Sequence, residues 1–282
     1  MKYASFEAAG LSSWGLVEGE DIVDVGEILR DHVADLKDLI AQEAYGQALR
    51  ARASAARRPL STVTLRPVVS KPAKIFCVGH NYETHRQETG RAMVGHPSIF
   101  LRFADTLTAH GAPILRPKES ASLDYEGELA VIIGQGGRRI SEADALRHVA
   151  GFTCANDASV RDWQWHTQQF TPGKNFPGTA PLGPWMITPD EIADLQAVTV
   201  TTSLNGEVMQ HASVADMIFP IPVIIAYLST FTSLSPGDVI LTGTPGGVGA
   251  KRKPPVWMKP GDIVEVGIAG VGRLVNFVCD EA

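Results

Sequence analysis

Eleven consecutive residues constrain this chain more than any others: Asp124-Tyr125-Glu126-Gly127-Glu128-Leu129-Ala130-Val131-Ile132-Ile133-Gly134. After Glu128 the run is apolar at every position and rich in β-branched residues, the pattern of a strand buried on both faces. Glu126 and Glu128 stand two apart, so on a strand they share a face, about 6–7 Å from one another. Two carboxylates at the mouth of a buried strand repel, and each is costly to desolvate without a partner. Something positive must stand between them. Arg or Lys partners meet that need, and so does a hard divalent cation, which prefers oxygen ligands and tolerates clustered carboxylates. A second apolar strand, Val149 to Asp157, also ends in an acid, and a helical turn follows over Ala158 to Trp165. Two strands that end in carboxylates can bring Glu126, Glu128 and Asp157 around one ion.

The rest of the chain supplies further polar groups. Phe76-Cys77-Val78-Gly79 reads as a short strand, and His80 to Gly90 as a polar helix closed by glycine. On that helix His85 and Glu88 share a face, either as a surface pair or as a working dyad. Lys174 lies in a Gly/Pro-rich loop, Gly173-Lys174-Asn175-Phe176, as a solvated lysine or a site cation. Val198–Leu204, Asn205-Gly206 and Glu207–His211 form a hairpin, since Asn-Gly favours the tight primed turn. Pro220 to Phe231 is an apolar helix. The loop Thr242 to Gly249 is glycine-rich, but it lacks the Gly-Lys-Ser/Thr ending of a phosphate loop, which argues against a nucleotide site.

With 282 residues, 44% hydrophobic and 20% charged, the chain is long enough for one large and one small domain. Residues 1–65 read as a small α+β unit without chemistry of its own. It has a hairpin over Trp14 to Val25 and helical composition from Asp31 to Ala56, ended by Arg57-Arg58-Pro59. A net charge of −6 with both signs interspersed shows no basic stripe for nucleic acid. The start has no apolar core of signal length, and no uncharged run is long enough to span a membrane. Cys77, Cys154 and Cys279 lie far apart in apolar stretches, as reduced residues of a cytoplasmic protein. Strands and Gly/Pro turns dominate residues 66–282, which predicts a β-rich α+β domain.

Four segments carry a resemblance: DYEGELAVIIG, GFTCANDASVRDWQ, PGKNFPGTAPLGPW and GDVILTGTPGGVG. They occur in the order found in the fumarylacetoacetate hydrolase family, and the resemblance runs from near Lys74 to the C-terminus. It implies a rolled mixed β-sandwich catalytic domain over 66–282, usually in a homodimer. It implies Mg²⁺ (or Mn²⁺ or Ca²⁺) on Glu126, Glu128 and Asp157. Asn81, Tyr82, His85 and Glu88 match an N-Y-x-x-H-x-x-E segment that forms a lid and carries a water-activating dyad. Lys174 becomes a site cation, and Thr244 and nearby backbone amides meet the substrate carboxylate. Gln164 positions the substrate, while Arg161 contacts it or braces Asp157. Arg102 stands where the family more often has lysine in P-x-x-F-x-K, and is expected among the substrate-binding residues. The activity expected is that of the acylpyruvase-like branch: C–C bond hydrolysis of a 2,4-dioxo acid to pyruvate and a second acid. The alternatives are an oxaloacetate-type decarboxylase and a 2-oxo acid isomerase or hydratase. A non-catalytic homologue is a third, against which the intact set of site residues argues.

Overall fold

A computed structural model describes residues 1–282. It shows a β-rich α+β chain of nineteen strands, with one long helix at Ile221–Phe231. Strand Gly127–Ile133 is buried along its whole length, and it lies mid-sheet between Val149–Asn156 and Val239–Leu241. Its two faces separate with the period of two that a pleated strand imposes. Leu129, Val131 and Ile133 join the large core shared with Val200, Val266, Ile268 and Leu274 of a second, five-stranded sheet. Helix Ile221–Phe231 adds Ile224, Ile225 and Leu228 to that core. Ala130, on the opposite face, packs with Cys77, Ala155, Leu182 and Leu241. Burial of each large aliphatic side chain in such a core contributes about 1.5–3 kcal/mol. Even-numbered residues before the strand, Glu126 among them, therefore belong to the face turned away from the five-stranded sheet.

The two sheets form a rolled mixed β-sandwich. Most pairs are antiparallel, while Val239–Leu241 runs parallel to Ile75–Gly79, and Gly272–Asp280 parallel to Pro113–Arg116. The hairpin over Asn205-Gly206 forms as expected, both turn residues at positive φ (51° and 85°). Gly127 shows why a strand residue there has no side chain: a Cβ would lie 1.9 Å from Thr202 Oγ1.

Residues 1–65, which we propose as the small N-terminal unit, are hydrogen-bonded into the large sheet. Strand Lys2–Ala8 pairs with Ala180–Ile187 through Lys2↔Ile187 and Tyr3↔Met186, and Trp14, Leu16 and Val23 share a core with Ile132, Ala150 and Met186. The expected Trp14–Val25 hairpin is present. The helical stretch from Asp31 to Ala56 is instead two short helices, Leu36–Ala41 and Tyr45–Ala51, and Ala56–Pro59 is a strand paired with Asp21–Asp24. That strand closes the sheet's edge, where a proline costs no ladder bond. Arg57 is drawn there by Glu18, 2.5 Å away.

Candidate active site

Glu126, Glu128 and Asp157 converge, with one oxygen from each within 4.8 Å of the others. Backbone pairing sets this up: Gly127 opposes Asn156 and Glu128 opposes Ala155, so both strand ends open on the same spot. The Asp157 amide donates to the Glu126 carbonyl at 2.8 Å, and the Glu126 amide to Asn156 Oδ1 at 2.9 Å. All three carboxylates are buried. Lys174 is buried with them. Its Nζ lies 2.9 Å from Glu126 Oε2 and 2.5 Å from Asp157 Oδ2, held by the turn Thr171–Lys174.

Four buried carboxylates, counting Asp124, meet three buried cations, Arg102, Arg161 and Lys174. Arg161 forks between Glu126 Oε1 (2.6 Å) and Asp124 Oδ2 (2.8 Å). Burial alone would raise the Glu126 carboxyl, but Lys174 and Arg161 outweigh it and hold that group below the ordinary carboxylate range. Glu128 has no cation of its own. Burial, then Asp157 and Glu126, push its carboxyl well above the ordinary value, and its one strong donor is the Gly243 amide at 2.6 Å. Gly243 reaches it with φ of 106°, a conformation that favours glycine. A cluster of hard oxygen donors with one uncompensated carboxylate fits a hard divalent cation.

Above this floor stands the dyad. His85 Nδ1 lies 2.7 Å from Glu88 Oε1 on helix Glu83–Glu88. A carboxylate can only accept, so Nδ1 carries the hydrogen and Nε2 is left for chemistry. Glu88 is itself oriented by the Gly247 amide at 2.9 Å. The helix is anchored at its start: Asn81 donates to the carbonyls of Thr242 (2.7 Å) and Phe219 (3.1 Å), and Tyr82 is buried. His85, Glu126, Glu128, Asp157, Arg161, Gln164, Lys174 and Thr244 all line one cavity.

Three of the expected residues make protein contacts that the sequence did not specify. Arg102 does not line that cavity; it is buried behind Asp157, bonded to that carboxylate and to the carbonyls of Lys174 and Ala158. Its charge balances the cluster instead of facing a substrate. Arg161 braces Glu126 and Asp124, not Asp157. Thr244 reaches the cavity wall, but its hydroxyl donates to the Gly127 carbonyl (3.0 Å) and accepts from Gln210 Nε2 (2.7 Å). The glycine-rich loop aims its amides at the protein's own carboxylates: Gly243 at Glu128, Gly247 at Glu88, and Gly249 and Ala250 at Asp124.

Two lining or supporting groups carry no expectation from the sequence. Asp124 is fully buried, and its position two before Glu126 was the available signal. His80 stacks on His85 with ring centroids 5.1 Å apart and planes at 17°. Burial, then the neighbouring His85, lowers its pKa to about 4, so near neutral pH it presents an uncharged ring.

A family model described as the fumarylacetoacetate (FAA) hydrolase C-terminal domain matches residues 74–279. The chain belongs to the fumarylacetoacetate hydrolase family. It is 44% identical over 222 residues to oxaloacetate tautomerase FAHD2A, mitochondrial, of Bos taurus, covering 78% of this chain and 71% of that one. Among solved structures, fumarylacetoacetate hydrolase from Exiguobacterium antarcticum superposes with a TM-score of 0.88 at 35% identity, over 100% of both chains. Maleylpyruvate hydrolase from Sphingobium sp. SYK-6, solved in complex with manganese(II) and pyruvate, gives 0.84 at 28% identity, again over 100% of both. Members of the family are enzymes, hydrolases, isomerases and tautomerases among them, that act on small acids.

Proposed function

We propose that this chain interconverts the enol and keto forms of a small 2-oxo acid of the oxaloacetate type. One observation carries the reading: His85, its Nδ1–H fixed on Glu88 at 2.7 Å, lines the same cavity as the Glu126/Glu128/Asp157 cluster. The oxaloacetate tautomerase relatives support the choice of reaction. Glu126, Glu128 and Asp157 would hold the cation, and Mg²⁺ or Mn²⁺ suits their oxygens. When bound, the ion supplies Lewis-acid stabilisation of negative charge on the substrate's 2-oxygen. The chain's own residues do the rest. Arg161 Nη2, 2.8 Å from Asp124 Oδ2 but without an aligned acceptor, and Gln164 orient the substrate carboxylate. Lys174 adds positive charge beside the oxyanion. His85 Nε2 moves the proton: tautomerisation gains and loses no atoms, since one proton leaves the enol oxygen and one arrives at C3.

The same imidazole favours a second reading, hydrolysis of a 2,4-dioxo acid. There His85 takes a proton from water, the hydroxide attacks the distal carbonyl, and the C–C bond breaks to give a second acid and a pyruvate enolate, which takes that proton at C3 to become pyruvate. One experiment separates the readings and the decarboxylase alternative. Purified protein with Mg²⁺ is given enol-oxaloacetate or acetylpyruvate, and enol absorbance, pyruvate and CO₂ are followed. Tautomerisation removes the enol without pyruvate; pyruvate from acetylpyruvate sinks that reading for hydrolysis; rapid CO₂ from oxaloacetate sinks both for decarboxylation.

A homodimer is part of the same proposal. Strand Ser98–Arg102 is the last of the large sheet, and Leu101, Phe103 and Phe231 are exposed together beside it. An open edge flanked by large apolar side chains needs a cover, and a second copy supplies it. Phe103→Asp is expected to halve the mass seen by light scattering; a wild-type monomer would end the proposal. No helix is long and apolar enough to cross a membrane. The free cysteines, two of them buried, support a reducing compartment, in keeping with our cytoplasmic reading, although the tautomerase relatives are described as mitochondrial.

A further inference from the structure

The cavity is lined by four cationic side chains besides its two histidines. Two of these, Lys174 and Arg161, belong to the floor and to the substrate's proximal end, each within 2.9 Å of a buried carboxylate. Another floor cation, Arg102, is out of reach behind Asp157. Arg91 and Lys251 remain among the lining residues, and both side chains are exposed. Their neighbours are rings, not acids. The Arg91 guanidinium lies 5.6 Å from the Phe170 ring centroid, and Lys251 Nζ 5.9 Å from that of Trp165. The two come from separate elements: Arg91 follows helix Glu83–Glu88, and Lys251 ends the turn Gly249–Lys251 after the glycine-rich loop. Each element is tied to the site. The Arg91 carbonyl accepts from Arg86 Nη1 at 2.5 Å, and the Ala250 amide donates to Asp124 at 3.0 Å.

A ring face favours a cation over it and leaves the N–H groups at its rim unspent. Cations so placed meet an anion at low ordering cost, because the aromatic contact already limits their rotamers. The floor cations are paired with protein carboxylates and placed at the substrate's proximal end, so a distal anionic group needs others. We infer that Arg91 and Lys251 bind a second carboxylate at the far end of the substrate, so the site selects dicarboxylic 2-oxo acids over those ending in an uncharged group. This deepens the tautomerase reading and rests on it for the proximal end of the substrate only. Arg91 offers a planar fork for the carboxylate, and Lys251 a compact point charge.

Binding measures this without turnover. Malate and 2-hydroxybutanoate share the proximal hydroxy acid and differ in the distal carboxylate. Calorimetry with Mg²⁺-loaded protein is expected to show malate binding about 10–100-fold tighter, the worth of a charge-assisted hydrogen bond. Arg91→Met with Lys251→Met should bring the ratio near one by weakening malate alone. Equal affinities in the wild type overturn the inference, as does a double variant that keeps the preference or loses both ligands alike. The outcomes also part from the fate of the reaction assignment. Turnover of enol-oxaloacetate without the malate preference removes the inference and leaves the tautomerase reading; the preference without that turnover does the reverse.

Discussion

His85→Ala is expected to lower turnover by about 10²–10⁴, the usual worth of a positioned acid–base group, while metal and product-analogue binding survive. The separation follows from geometry. His85 bonds to Glu88 and stacks on His80, and it makes no hydrogen bond to Glu126, Glu128, Asp157 or Lys174. Its removal therefore leaves the cation cluster and the substrate's proximal contacts in place. Glu88→Ala is expected to be milder. The imidazole keeps its nitrogen and its stacking partner but loses the acceptor that fixes Nδ1–H, so only part of the population presents Nε2 correctly. Both variants should be read beside thermal melting, since His85 is buried. A His85→Ala protein that keeps most of its rate per folded molecule would remove the dyad from the mechanism, in either the tautomerase or the hydrolase reading.

Much of this site was legible because strand and helix periods are local. The run Leu129–Ile133 reads as buried on both faces, and the structure packs Leu129, Val131 and Ile133 in one core and Ala130 in another. The three-residue spacing of His85 and Glu88 likewise becomes a 2.7 Å contact. What escaped is non-local or directional. No property of Lys2–Ala8 alone says that it will pair with Ala180–Ile187, because strand choice rests on partners far along the chain. Arg102 shows the directional limit. A motif places a cation near the site, but whether it faces the cavity or backs a carboxylate depends on the pleat and on Asp157 from another strand. The glycine-rich loop is similar. Its amide directions follow from backbone angles such as the 104° φ of Gly247, and those turn the amide to Glu88 instead of outward to a ligand. Asp124 was readable in principle, being the first of three acids at alternate positions.

Glu128→Gln is expected to abolish divalent-cation binding and activity while leaving the metal-free protein as stable as wild type at neutral pH, or more so. Among the three candidate ligands this is the substitution that isolates the ion. Glu126 pairs with Arg161 at 2.6 Å and Lys174 at 2.9 Å, so Glu126→Gln breaks two buried ion pairs, leaves Arg161 only Asp124 and Lys174 only Asp157, and should lower stability as well as metal affinity. Asp157 is similarly tied to Arg102 and Lys174. Loss of activity in either variant would confuse a lost ligand with a damaged fold. Glu128 has no such partner. Buried, with Asp157 and Glu126 beside it, its carboxylate is disfavoured, and a glutamine of the same shape keeps an oxygen for the Gly243 amide at 2.6 Å. Removing that charge relieves repulsion in the metal-free state. The same removal takes one of three anionic ligands from the ion, so affinity should fall by more than the about 10–100-fold that outer-shell changes cost. Calorimetric titration with Mn²⁺ and a melting curve in chelator measure the two halves separately. Unchanged Mn²⁺ affinity would show that the cluster does not hold the ion. Weak binding with a lower melting temperature in chelator would show instead that Glu128 supports the fold, and that the strand-end acids are a structural network.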